Sequence, residues 1–146
     1  MVEFNNLTSF EIDEAYLRKI AEDVLRAEKA CETCELSVVF VGPEKMRELN
    51  LGHRGKDSVT DVLSFECCND PDLKGKMEIE PLGEVVICPS FVEEQAKLNE
   101  NTFQKELSFV LIHGILHLSG YDHEKSEEEA RVMEEKQNGY LCKYCG

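Results

Sequence analysis

Leu36-Ser37-Val38-Val39-Phe40-Val41, then Gly42-Pro43 and a stretch carrying Met46 and Leu49 up to Gly52, reads as a strand that turns at once into a helix. Val38, Val39 and Val41 are β-branched and suit a pleated, buried run. Proline fits the first turn of a helix, where its missing N–H costs nothing, and Gly52 is expected to stop that helix. On the N-terminal side, Ile12, Tyr16, Leu17, Ile20, Val24 and Leu25 recur at intervals of three and four. That period marks an amphipathic helix ending near Lys29. On the C-terminal side, residues 61–65 and 82–88 read as further strands, separated by a polar loop containing Asn69, Asp70, Pro71 and Gly75. Pro89 opens a helix through Phe91, Val92, Ala96 and Leu98, and Asn101 or Thr102 caps a longer one running to Leu118. Ser126 and Glu129 form a capping-box pair, starting a last acidic helix over about 127–137. No repeat or Pro/Gly/Ser linker divides the chain. Residues 1–146 are therefore read as one compact α+β domain, a small mixed sheet covered by helices.

Thirty acidic and 16 basic side chains give a formal net charge of −14. That balance argues against non-specific adhesion to nucleic acid or anionic membrane, so a polyanionic substrate must be met locally. Residues 45–56, with Lys45, Arg47, Arg54 and Lys56 against Glu48, hold a net +3 and offer such a place. The same charges also suit a solvated helix and loop. No apolar run approaches the ~20 residues a membrane span needs. The first nine residues carry Glu3 and lack the basic and apolar regions of a secretory signal. The expectation is a cytoplasmic protein with no membrane partner. Of seven cysteines, Cys31 with Cys34 and Cys142 with Cys145 form two C-x-x-C pairs. These are open to a shared structural zinc, to local disulfides or to free thiols, whereas Cys67, Cys68 and Cys88 read as small core residues.

The chemistry concentrates in His113-Gly114-Ile115-Leu116-His117-Leu118-Ser119-Gly120-Tyr121-Asp122-His123, which holds three of the four histidines. On a helix, His113 and His117 differ by about 40° in azimuth and about 6 Å in rise, so both imidazoles leave one face. Gly120 permits the left-handed turn that ends a helix, and His123 then supplies a third nitrogen. Three histidines with a fourth position open are the ligand set of a catalytic zinc, one per chain. A lone helical histidine is ordinarily a core or surface residue, a reading that three at these offsets resist. The offsets also occur in the metzincin pattern H-E-x-x-H-x-x-G-x-x-H, but Gly114 stands where that pattern has its glutamate base. A peptidase reading therefore loses its base.

The whole segment resembles the YbeY family of rRNA-maturation endoribonucleases, whose signature H-G-x-L-H-L-x-G-Y-D-H it matches at every specified position. Leu49-Asn50, Arg54-Gly55-Lys56-Asp57 and Thr60-Asp61-Val62-Leu63-Ser64-Phe65 are similar to that family's L-N, R-G-x-D and T-D-V-L-S-F block. Leu82-Gly83-Glu84-Val85-Val86-Ile87, with Gln95-Ala96, is similar to the family's next strand and helix. Glu66 departs from the family's usual proline, and the C-x-x-C pairs lie outside the pattern. The resemblance implies a compact α+β fold and a zinc-dependent, single-strand-specific endoribonuclease acting in 16S rRNA processing and ribosome quality control. Its partners would be single-stranded RNA and the ribosome or ribosome-associated proteins. It implies His113, His117 and His123 as zinc ligands, with Arg54 and His113 in catalytic roles. A guanidinium suits that task, offering phosphate oxygens a planar, permanently charged fork. Lys56 is either a second phosphate contact or a solvated loop lysine. Asp61 orients the site or caps a strand, Asp122 supports a ligand or sits in an exposed turn, and His53 reads as a loop residue. The nucleophile, either the RNA 2′-OH or water, and the general base stay open. Two other readings stand beside this one: a zinc hydrolase of another substrate, and a non-catalytic ribosome-associated metal-binding factor.

Overall fold

The computed structural model describes residues 2–28, 34–66, 80–119 and 127–145. Along the chain run β1 (Val2–Asn6), α1 (Glu14–Ala27), β2 (Cys34–Phe40), α2 (Pro43–Arg54), β3 (Val62–Glu66), β4 (Glu80–Ile87), α3 (Pro89–Leu98), α4 (Phe103–Leu118) and α5 (Glu127–Cys145). Among the described residues the strands form one sheet in the order β1-β2-β4-β3. β1 and β4 flank β2 in parallel, and β3 runs antiparallel on the outside of β4. The sheet is mixed and the fold α+β, as the alternation of strands and helices led one to expect.

Period-2 alternation divides the apolar residues between the two faces of this sheet. Leu36, Val38, Phe40, Val85 and Ile87 face one way, under Leu17, Ile20 and Val24 of α1, the apolar side of α4 and Met133 of α5. Val41, Leu63, Val86 and Cys88 face the other way, under Met46 of α2. Helix α4 is the hub, packing on α1, α3, α5, β3 and β4. Its start is set by Thr102, whose hydroxyl accepts from the Lys105 N–H at 3.1 Å, an N-cap. Buried Glu106 secures the turn before it by accepting from Asn99 at 3.1 Å and Asn101 at 3.0 Å. The carboxylate of Glu28, 4% exposed, accepts from Lys136 at 3.0 Å and from the Tyr140 hydroxyl, which ties α5 to the end of α1.

Several boundaries differ from the sequence expectation. Strand β1 was not anticipated; its five residues pair with β2 from Val2↔Leu36 to Asn6↔Phe40, a partnership no local pattern announces. Helix α2 runs through Gly52 to Arg54, because the left-handed turn is taken by Gly55 at φ +71° instead. His53 thus sits in a helix and not in a loop. Asp61 precedes β3, its carboxylate accepting from the Val62 N–H at 2.8 Å and its carbonyl from the Cys88 N–H at 2.9 Å. It has the strand-capping role. Helix α5 continues past Gln137 to Cys145. Lys29, the loop of 69–75, Cys67, Cys68 and Ser126 of the capping-box pair lie outside the described residues.

Candidate metal centre and phosphate contacts

Between Glu106 and Leu118 every residue of α4 is buried except Phe109, His113 and His117. These three are spaced by four, so they form a single half-buried stripe on an otherwise enclosed helix. The two imidazoles meet edge to face, with ring centroids 4.6 Å apart at 76°, and their Nε2 atoms lie 3.1 Å apart. Two nitrogens held at about 2.0–2.1 Å by one tetrahedral zinc would be about 3.3 Å apart, so the pair fits as two ligands of one ion. The expected third ligand, His123, lies outside the described residues, as do Gly120 and Asp122. Among the described residues no group of three His, Cys, Asp or Glu side chains gathers around a metal position.

The glycine between these histidines is dictated by packing. A Cβ on Gly114 would stand 2.8 and 3.2 Å from the two methyls of Val85 and 3.4 Å from the Ser64 hydroxyl oxygen. Ser64 and Val85 are register partners on β3 and β4, so one cross-strand pair seats the helix. The Ser64 hydroxyl also donates to the Gly114 carbonyl at 3.1 Å. Position 114 has no room for the carboxylate of a metzincin-type base.

Arg54 is exposed and forms the last residue of α2, on the opposite face of the sheet from α4. The two helices nevertheless converge on the same end of β3. The His53 ring packs 4.3 Å from Phe65, while Gly114 sits on neighbouring Ser64 and Leu118 reaches Gly83 beside Phe65. The segment following Arg54 is pinned by Asn50, 2% exposed, whose amide donates to the Ser58 carbonyl at 2.9 Å. Arg47 of the basic segment is engaged in a two-pronged contact with Asp57, at 2.6 and 3.0 Å. Hydrogen bonding to Arg47 holds the Asp57 carboxyl below its ordinary range, with the positive charge adding to the effect, and Arg47 is raised in turn by its hydrogen bond to Asp57. Lys45 lies 3.8 Å from Glu48. The net +3 of residues 45–56 is therefore partly committed to local pairs. Beside Phe65, Glu3, Glu35, Glu66 and Glu84 line an open hollow that disfavours a polyanion there.

Sequence reasoning missed the work done by Ser64 and Asn50. Both stand inside the L-N and T-D-V-L-S-F blocks singled out in the sequence, so their place in a motif was the available signal. Cys88 is a buried thiol at the start of α3, as expected of a core residue, and Cys142 is an exposed free thiol. Cys31 and the side chains of Cys34 and Cys145 lie outside the described residues.

The family model described as Endoribonuclease YbeY matches residues 3–145. A Halalkalibacterium halodurans protein named Endoribonuclease YbeY is 39% identical over 145 residues, covering 94% of this chain and 89% of that one. One of the same name from Thermodesulfovibrio yellowstonii is 54% identical over 99 residues, 67% of this chain and 59% of its own. A solution structure of a Thermotoga maritima protein aligns with a TM-score of 0.64 at 35% identity, over 97% of this chain and 87% of that one.

Proposed function

This chain belongs to the YbeY endoribonuclease family, and on that premise we propose that it is a zinc-dependent endoribonuclease cleaving single-stranded RNA in rRNA maturation and ribosome quality control. The observation that supports this reading most is the convergence of the His113 and His117 Nε2 atoms at 3.1 Å on the half-buried stripe of α4. His113, His117 and His123 would hold the ion, which supplies Lewis acidity toward a phosphodiester oxygen when bound. Arg54 binds and orients the phosphate from the end of α2, and its fork matches charge that builds on the phosphoryl oxygens in the transition state. The buried apolar surroundings of α4 exclude water from the back of the histidine pair and hold both rings in place. The acidic hollow turns RNA away from the rest of the sheet and toward the Arg54 edge. In this reading the protein works in the cytoplasm, in contact with the ribosome or its associated factors. No helix among the described residues is long and apolar enough to cross a membrane.

The test is metal analysis of the purified chain together with cleavage of matched single-stranded and duplex RNA by wild type and His117→Ala. About one zinc per chain and cleavage of the single strand, both lost in His117→Ala, are expected. Cleavage that persists in the metal-depleted His117→Ala protein would overturn the reading. Product ends then separate the two nucleophiles: a 2′,3′-cyclic phosphate reports attack by the 2′-OH, whereas its absence with 2′-deoxy substrates still cleaved reports water.

A further inference from the structure

Glycine in a helix interior loosens the backbone, and packing against Val85 places one in the turn that separates His113 from His117. The two rings need a fixed separation to act together, so that turn requires an outside restraint. Ser64 supplies one such restraint. Its hydroxyl sits 3.1 Å from the Gly114 carbonyl, reaching from β3 across fifty residues of chain, while its register partner Val85 limits the approach of the helix. The adjoining residue, Phe65, packs against His53 on the other face, next to Arg54. One dipeptide of an outer strand thus touches both the histidine helix and the end of the arginine helix.

We propose that Ser64 is a positioning residue: its hydroxyl fixes the rotation of α4 at Gly114, and with it the His113–His117 geometry and its distance from Arg54. The proposal rests on the reading of these histidines as metal ligands. Residues that orient ligands from behind are worth 10–100-fold in metal affinity or activity, and Ser64 acts one step further back, through the helix backbone. About tenfold is therefore the expected size of its effect.

A matched control exists on the same helix. Ser108, fully buried, donates to the Gln104 carbonyl at 2.7 Å, about 9 Å along the axis from Gly114. Zinc affinity is measured by chelator competition for wild type, Ser64→Ala, Ser64→Thr, Ser108→Ala and His117→Ala, with Tm and single-strand cleavage kinetics alongside. Ser64→Ala should bind zinc about tenfold more weakly and lose kcat by a similar factor at unchanged KM. Ser64→Thr should recover most of both, and Ser108→Ala should lower Tm to a similar extent without touching zinc affinity. Wild-type zinc affinity in Ser64→Ala, when His117→Ala abolishes binding, would overturn the proposal. An equal loss in Ser108→Ala would do the same, reducing Ser64 to general helix support. Zinc retained by His117→Ala would instead remove the underlying metal reading, and the two failures are thereby distinguished. Should Ser64→Ala fail to fold, Ser64→Cys, which fills the position with a weaker donor, replaces it in the same comparison.

Discussion

Replacing Gly114 with alanine sets two effects of opposite sign against each other. Alanine is favoured over glycine inside a helix by about 1 kcal/mol. The added methyl, however, would meet Val85 carbons at 2.8 and 3.2 Å, and relieving the shorter contact to a normal separation of about 3.5 Å requires a movement of about 0.7 Å. Val85 cannot supply that movement. It is fully buried on β4, hydrogen-bonded between β2 and β3, and its branched side chain is stiff at χ1. Overpacking of this kind costs about 1–3 kcal/mol, and an immobile neighbour puts the cost in the upper half of that range. The net expectation is a destabilisation of about 1–2 kcal/mol, or a Tm lower by roughly 3–8 °C for a chain of this size. The helix should shift away from the sheet as a body, keeping His113 and His117 together while moving them relative to Arg54. The same shift stretches the Ser64–Gly114 hydrogen bond, so zinc affinity should fall about tenfold, as in Ser64→Ala, and single-strand cleavage should fall about 10²-fold, the cost of a misplacement approaching 1 Å. A double-mutant cycle with Val85→Ala tests the cause, because removing the obstructing methyls should restore about 1 kcal/mol of the loss as coupling. Gly114→Ala that is about 1 kcal/mol more stable than wild type, with zero coupling to Val85→Ala, would refute the packing argument.

Arg54→Ala should keep its zinc and lose about 10²-fold or more in kcat, by analogy with deleted transition-state donors; Arg54→Lys should recover little, and a loss confined to KM and reversed by low salt would reduce Arg54 to electrostatic steering. Asp57 should titrate below the ordinary aspartate range in an NMR pH titration, since its hydrogen bond to Arg47 favours the carboxylate. A depressed folded pKa contributes stability that is present above the unfolded value and lost as pH falls through the folded one, so Arg47→Ala should return Asp57 to the ordinary range and remove that acid-side dependence. Replacing Cys31, Cys34, Cys142 and Cys145 together with serine should leave RNA cleavage within a few-fold, because none belongs to the histidine stripe; a large loss of kcat would bring the C-x-x-C pairs into the chemistry.

What was legible in the sequence was what depends on near neighbours. The three- and four-residue spacing from Ile12 to Leu25, the β-branched run at 36–41 and proline at the first position of α2 and α3 all act within a turn or two of chain. The fold class follows from them, and so does the pairing of His113 with His117, since residues four apart on a helix share a face. Tertiary structure decided whatever needs a partner far along the chain. Five residues of mixed polarity became β1 because β2 offered them an unpaired edge. Gly52 stayed helical while Gly55 took the turn, where the Lys56 N–H reaches the Asn50 carbonyl and Asn50 holds the Ser58 carbonyl. Glycine at 114 looked like the absence of a catalytic base; in the fold it is the close approach of α4 to Val85. Ser64 looked like one letter of a motif, and only the packing of an outer strand against the hub helix brought its hydroxyl to the carbonyl between the histidines. Helix period is written into consecutive residues, whereas the distance between two packed elements is set by side chains from both.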